Sequence, residues 1–531
     1  MKSLRALHVG LRLAATVLIG LLAMTASGVQ AGDGLRIATA YKLMTLDPHY
    51  ANLNENTSLL SQIYERLVFQ DEELQLQPGL AVGWEAVSTT SWMFKLRADV
   101  RFHDGSPFTA EDVVYTVERI RDQLKSPSGG YRSYVSAIKS VSVVDPLAVV
   151  FKTDGSVPNL PLALSSVFIM KKPVQGFATT EALNGGMAPN GTGPYRFEGW
   201  ASGEYLQLAA NTDYWAGAPA WPDVTIRVIE SPAARVAAIT TGEVDVADAL
   251  PARDVAALKK RGVKIASVGA ARINFLQFEM ESHTLPGVTD KAGAAIANPF
   301  RKLAVRQALA LATDRGILVD KILAGYGTAA AQVFPNGLPG TSDKLLPIAP
   351  DVTTAKKLLA EAGYPDGFRV LLAGPAGRYP GDSESLQAIT QNWARIGITV
   401  EPQAVPFSVF NTKRAAGEYG LWYGGASGEA VDIILDALLA SPDKARGTGA
   451  LNFGHYRNAT FNAMLSKAES IEAGPVRDAA LADATEFVMA DLPIIPLYHF
   501  HHVTGYGPRI GAYLMHPRGW TTAMQAEPAQ E

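Results

Sequence analysis

Between Trp92 and Leu124 the hydrophobic period changes once. Trp92, Phe94 and Leu96 alternate with Met93, Lys95 and Arg97, a period of two that predicts a strand with one face on a core. His103-Asp104-Gly105-Ser106-Pro107 interrupts it, because Gly105 can take positive φ and Pro107 fixes φ, which predicts a reversal. Thr109 and Asp112 form a capping-box pattern, and Val113, Val114, Val117, Ile120 and Leu124 follow at helical spacing. Further along, Leu35 to Ala40 predicts a short strand, and Leu46-Asp47-Pro48 a turn. A βαβ-like unit spans 224–248: Val224, Ile226 and Val228 form a strand, Ser231 caps a helix with Pro232 at its first position, Gly242 ends it, and Val244 and Val246 resume a strand. In the later half Asn298-Pro299 opens a helix carrying Leu303, Val305, Leu309 and Leu311. A second helix runs from Thr353 to Ala362 and is closed by Gly363; a third covers 384–396, stopped by Gly397, with Ile398 and Val400 in the strand that follows. The pattern predicts an α/β protein of two lobes.

Length agrees, since 531 residues exceed what one hydrophobic core organises. With 18% charged and 47% hydrophobic residues the composition is that of a globular protein. Lys2, Arg5 and Arg12 precede the apolar run Leu13 to Met24, and Val29-Gln30-Ala31 ends in small residues, which predicts a secretory signal peptide over 1–31. The run is too short to cross a membrane, which takes about 20 apolar residues. There are no cysteines, so neither disulfides nor the lipidated cysteine of an anchored bacterial protein are expected. A protein free in the periplasm is the expectation. Removing 1–31 takes away three basic residues and no acidic ones, so 47 against 51 becomes 44 against 51, a net charge of −7. That balance argues against a nucleic-acid partner. The Ala/Gln/Glu/Pro tail after Met524 is expected to fray.

Catalytic patterns are missing. The chain has no G-x-S-x-G, no G-x-x-x-x-G-K-[ST] and no H-E-x-x-H, and without cysteine it has no thiol nucleophile. Two candidates for chemistry stand out. In Tyr498-His499-Phe500-His501-His502, a strand places His499 and His501 on one side about 7 Å apart, as metal ligands or as imidazoles that hydrogen-bond to backbone or ligand. His103-Asp104 is either a catalytic dyad or the brace of its turn. Among the aromatics, Tyr214-Trp215, Trp221 and Trp520 are expected in the core. Trp422-Tyr423 runs into the glycine-rich loop Gly424-Gly425-Ala426-Ser427-Gly428-Glu429, where backbone can approach a ligand, Trp422 can stack on it and Glu429 can meet a cation.

With these pieces in place, FKLRADVRFHDGSPFTAEDVVYTVERI (94–120) resembles the signature region of the family 5 bacterial extracellular solute-binding proteins, the peptide-carrying periplasmic components of ABC importers. NGTGPYRFEGW (190–200), NTDYW (211–215), TGEVDV (241–246), NPFRKLAVRQALALATDR (298–315), TTAKKLLAEAGYPDGF (353–368) and DLPIIPLY (491–498) are similar to that family in the same order. The resemblance implies the type II periplasmic-binding-protein fold of the large peptide-binding class. Lobe I would comprise 32–270 completed by 494–531, and lobe II 271–493, with crossings near Ala271 to Phe275 and Pro493 to Tyr498 and the ligand held between them. On that reading His103 and Asp104 are scaffold.

A peptide's charged ends need partners of opposite sign, because enclosing either unpaired costs several kcal/mol. Where oligopeptide and dipeptide carriers have an Asp-x-Pro-Asp-Pro-like stretch, this chain has Ser427-Gly428-Glu429-Ala430-Val431-Asp432, which is similar to glutathione-binding members, as is MTLDPHYANLNENT (44–57). The resemblance therefore implies ligand contacts at Tyr41, Met44, Ser427, Gly428 and Glu429, with Lys42 and Leu43 in the same loop. Arg272 would pair a carboxylate through its planar fork, and Arg378 beside Tyr379 is a second anion candidate; an ordinary salt bridge is the alternative for each arginine. Trp422 and His499 complete the candidate set. The expected protein is a monomer without cofactor or metal. It captures a short peptide or glutathione-like ligand, works with inner-membrane ABC permease subunits and performs no reaction. The alternative cargo is a metal chelate, haem, an opine or a sugar conjugate.

Overall fold

The computed structural model describes residues 34–124, 131–443 and 448–530. The signal peptide expected over 1–31 lies outside the described residues.

The segment 91–123 follows its pattern. The strand Ser91–Leu96 buries Phe94 and Leu96. In the turn, His103 Nε2 lies 3.0 Å from the Gly193 carbonyl, and Asp104 accepts from the Ser106 backbone at 3.0 Å and pairs with Lys171. The pair braces the corner. Both halves of the Thr109/Asp112 capping box are present, and the helix Ala110–Glu118 ends in a wider turn, Arg119–Gln123. The strand belongs to a four-stranded antiparallel sheet, and the helix packs into the same core, which includes Phe94, Phe102, Val113 and Phe151.

In the 224–248 unit the helix Pro232–Thr241 is capped by Ser231 and stopped by Gly242 at φ 73°. Its two strands do not adjoin: Asp223–Val228 and Val246–Ala247 both pair in parallel with Leu35–Thr39, which lies between them. Asn298 caps a single 3-10 turn, Pro299–Arg301, and the α-helix begins only at Leu303. The break lets Phe300 bury fully against Phe278, with ring centroids 4.8 Å apart. The later helices, Val352–Glu361 and Asp382–Ala394, are followed by Gly363 and Gly397 at positive φ. The C-terminal tail is not frayed at Ala526–Pro528, which pairs with Ile510–Tyr513 and brings its backbone hydrogen bonds with it.

The molecule is a two-lobed α/β protein. Two stretches of chain join its halves. The strand Ile494–Tyr506 pairs through Ile494 to Tyr498 with Arg272–Phe278 and through His501 to Tyr506 with Lys264–Gly269. So 264–278 and 494–506 run antiparallel, side by side, and the register slips between the pairs Gly269/His501 and Asn274/Tyr498. On one side of this slip lies a core with Ile37, Tyr64, Leu208 and Ile226; on the other lies a larger one with Phe275, Leu309, Trp393 and Leu435. The NGTGPY stretch is read by close approach, for a Cβ on Gly191 would stand 1.9 Å from the Ile63 carbonyl oxygen.

Candidate functional site

The first side of the cleft is the loop after Leu35–Thr39. Asp248, buried, accepts from Thr39 Oγ1 at 2.7 Å and from the Ala40 backbone at 2.8 Å, which turns the chain outwards at Tyr41. Tyr41 and Met44 then stand 44% and 55% exposed, although Leu43 between them is buried. Enough protein surrounds Tyr41 that burial, followed by the charges of Asp248 and Glu55, pushes its hydroxyl pKa up, while Arg272 and Arg378 pull it down. Those mutual influences bring Tyr41, Glu55, Arg272 and Arg378 into one neighbourhood.

The second side is built on the strands Arg272–Phe278 and Leu421–Ser427, whose antiparallel register sets Arg272 opposite Ser427. Arg272 Nη2 donates to Ser427 Oγ at 3.2 Å, and its guanidinium carbon stands 5.8 Å from the Tyr379 ring centroid. Burial lowers the Arg272 pKa, and the positive charge of Arg378 acts in the same direction. Among the described residues Arg272 forms no ion pair; its side-chain hydrogen bond goes to the neutral Ser427. Arg378 is exposed, lies 5.1 Å from the Phe407 ring centroid, and is held through its backbone N–H, which donates to Asp382 at 2.8 Å. Tyr379 donates to the Gly425 carbonyl at 3.3 Å, so the arginine loop and the glycine-rich loop are fastened together. Gly425 is needed there, because a Cβ would meet the Tyr379 ring at 2.9 Å.

The remaining candidates fall elsewhere. Trp422 is 1% exposed and packs with Phe410 and Tyr419 under the sheet, so its ring offers no face to a ligand in this conformation. Strand alternation sends Tyr423 to the other face, where its hydroxyl lies 2.7 Å from that of Tyr498 and its ring 6.0 Å from Tyr379. His499 is buried at the crossing with Nδ1 3.0 Å from the Arg272 carbonyl, which can only accept; burial lowers its pKa to about 4, so the ring is neutral. His501 Nε2 is 3.2 Å from Thr328 Oγ1. Among the described residues no group of three His, Cys, Asp or Glu side chains could hold a metal ion.

Glu429 lies in a seam between the halves. Its Oε1 accepts from Arg518 Nη2 at 2.6 Å, Tyr134 at 3.0 Å and Ser166 at 3.4 Å, while its carbonyl accepts from Gln70 Nε2 at 2.9 Å. Close by, Asn159 donates to Asp432 at 2.8 Å. The donors all come from the side of the first core. Arg518 itself is fixed through its carbonyl to Asn54 Nδ2, and Trp520 donates to Asn54 Oδ1 at 3.0 Å. The sequence reading did not mark Tyr134, Ser166 and Arg518, because no local spacing does and only long-range packing brings them to Glu429.

Two α/β halves joined by paired antiparallel crossings narrow the family. Residues 75–434 match the family model described as "Bacterial extracellular solute-binding proteins, family 5 Middle". The chain belongs to the family 5 bacterial extracellular solute-binding proteins. Among the relatives of this family 5 protein, the glutathione-binding protein GsiB of Pectobacterium atrosepticum is 29% identical, over 93% of this chain and 94% of its own. Heme-binding protein A of Haemophilus influenzae is 27% identical, over 86% of this chain and 85% of its own. The solved structure of HbpA2 from Haemophilus parasuis superposes with a TM-score of 0.78 at 25% identity, covering 93% of this chain and 99% of that one. No helix among the described residues is long and apolar enough to cross a membrane.

Proposed function

We propose that this family 5 protein captures a short peptide or glutathione-like ligand in its cleft and delivers it to an ABC permease in the inner membrane. The observation that carries this reading is the unpaired Arg272 at the crossing, facing Ser427 and flanked by Tyr379 and Arg378. A guanidinium held there without a counter-charge favours a carboxylate, which its fork binds bidentately. Tyr41 and Met44 supply apolar surface from the opposite side, and Ser427, Gly428 and Glu429 line the loop beside it. The lobes divide at 270/271 and 493/494, a placement supported by the change of core at those strands. Ligand contacts drawn from both lobes shift the hinge equilibrium towards closure, and nothing is broken or made. The chain works as a monomer in the periplasm after its signal peptide is removed. The relative named for haem keeps a second cargo in view, tested in the same experiment.

That experiment is a thermal-shift panel of di- and tripeptides, glutathione, opines, sugars, haem and nickel with the purified protein. A ligand at 100 times its Kd adds about 2.7 kcal/mol of stability. A shift with glutathione or a peptide supports the reading; a shift confined to another class replaces the cargo.

A further inference from the structure

Beneath the Glu429 seam lies a cation that nothing in the site so far explains. Arg66 is 7% exposed, and neither its Nε nor its Nη2 has a hydrogen-bond partner. These two nitrogens form one edge of the guanidinium, the edge that receives a carboxylate through two parallel bonds. The group is held between aromatic rings, with its carbon 4.0 Å from the Phe168 centroid and 5.1 Å from that of Trp520. Arg518 stands over the same indole at 5.2 Å, and His516 stacks on it at 4.2 Å. Two guanidiniums therefore flank one indole, and of the two only Arg518 is paired, with Glu429. Glu65, next in sequence, turns away to accept from Tyr214 and Trp215 at 2.8 and 3.0 Å. Burial draws the Arg66 pKa down to about 10, with Arg518 acting in the same sense. A buried charge lacking an opposite charge is costly, and an arriving anion relieves it.

We propose that Arg66, with Arg518, forms a second anion subsite at the foot of the cleft, so that the cargo is a small molecule carrying two carboxylates. One carboxylate meets Arg272, and the other meets the free edge of Arg66. The inference rests on the carrier reading and narrows its substrate class: zwitterions with a single carboxylate leave one subsite empty. Arg518 and Tyr134, whose charges and dipoles act on Arg66, are tied to Glu429 of the other half in the present conformation, so the anion enters when the halves part and is enclosed as they return.

The test compares native protein with Arg66→Met and Arg66→Lys. Met keeps an unbranched apolar stem, shorter than that of Arg, and removes the guanidinium with its charge and its stacking on Phe168 and Trp520. The probe is glutarate, titrated at constant ionic strength, with melting temperature and calorimetric Kd as readouts. Native protein is expected to melt higher with glutarate, whereas Arg66→Met loses the shift and binds roughly 10- to 100-fold more weakly. Arg66→Lys, a point charge without the fork, retains part of the effect. In the absence of glutarate Arg66→Met is expected to melt no lower than native. No glutarate shift in native protein, an equal shift in Arg66→Met, or a marked loss of stability in Arg66→Met without probe overturns the proposal. Failure of the carrier reading is separate: no peptide or glutathione binds, yet glutarate still distinguishes native from Arg66→Met.

Discussion

Replacing Glu429 by Gln loosens the seam without altering its shape. Oε1 of Glu429 lies 2.6 Å from Arg518, and the two side chains are only 9% and 16% exposed, so water screens the pair weakly. The amide oxygen of Gln still accepts from Tyr134 and Ser166, at 3.0 and 3.4 Å in the native protein; only the charge assistance to Arg518 is lost. A hydrogen bond to a charged group contributes about 1.5–3 kcal/mol and a neutral one about 0.5–1.5, so the substitution removes about 1–1.5 kcal/mol. Because donor and acceptor sit on opposite halves, that energy acts on closure rather than on folding, and the open population is expected to rise about five- to tenfold. The chain lacks cysteine, so single cysteines placed at exposed Glu85 and Lys357 accept spin labels without background. The distance distribution between them, without added ligand, reports the two populations. Identical distributions for Glu429→Gln and native protein would refute the seam as a latch.

Three other perturbations follow from the same geometry. Arg272→Met is expected to weaken a carboxylate ligand about 10- to 100-fold, because a charge-assisted bond is lost, while stability changes little since Ser427 is the hydrogen-bond partner forfeited; calorimetry with the best ligand of the panel checks it. Trp422→Ala is expected to cost about 3–5 kcal/mol in urea denaturation for emptying a fully enclosed site, and Trp422→Phe to leave ligand affinity unchanged. Burial raises the Glu65 carboxyl pKa to about 7, so its folded form binds a proton that the unfolded chain has already released. Its contribution to stability is complete below the unfolded value of 4.5 and is lost as pH rises through 7. Glu65→Gln should therefore gain on native protein by about 2–3 kcal/mol between pH 4.5 and 8, measured by urea denaturation at both; parallel curves at the two pH values would contradict the buried carboxyl.

The parts legible in sequence were those set by neighbours along the chain. The Thr109/Asp112 cap, the Ser231 cap and the stops at Gly242, Gly363 and Gly397 are local hydrogen-bonding and φ requirements, and the structure holds each of them. The start of the helix at Leu303 was misplaced because burial of Phe300 overrode the Asn-Pro signal. Trp422 and Tyr423 show the limit of composition: adjacent aromatics in a strand face opposite ways, and which face meets the cleft depends on the helices packed beneath. The loop Ser427 to Glu429 was marked by its glycines, but the partner of Glu429 was not, since Arg518 comes 89 residues later. Arg66 sits in an unremarkable stretch, and its isolation is a property of tertiary packing alone.

Small-angle X-ray scattering, with the protein titrated by glutathione and by defined di- and tripeptides, tests most directly that two halves close on a small charged guest. The account predicts a radius of gyration that falls and saturates at one ligand per chain. Stoichiometric binding with an unchanged scattering profile would contradict it.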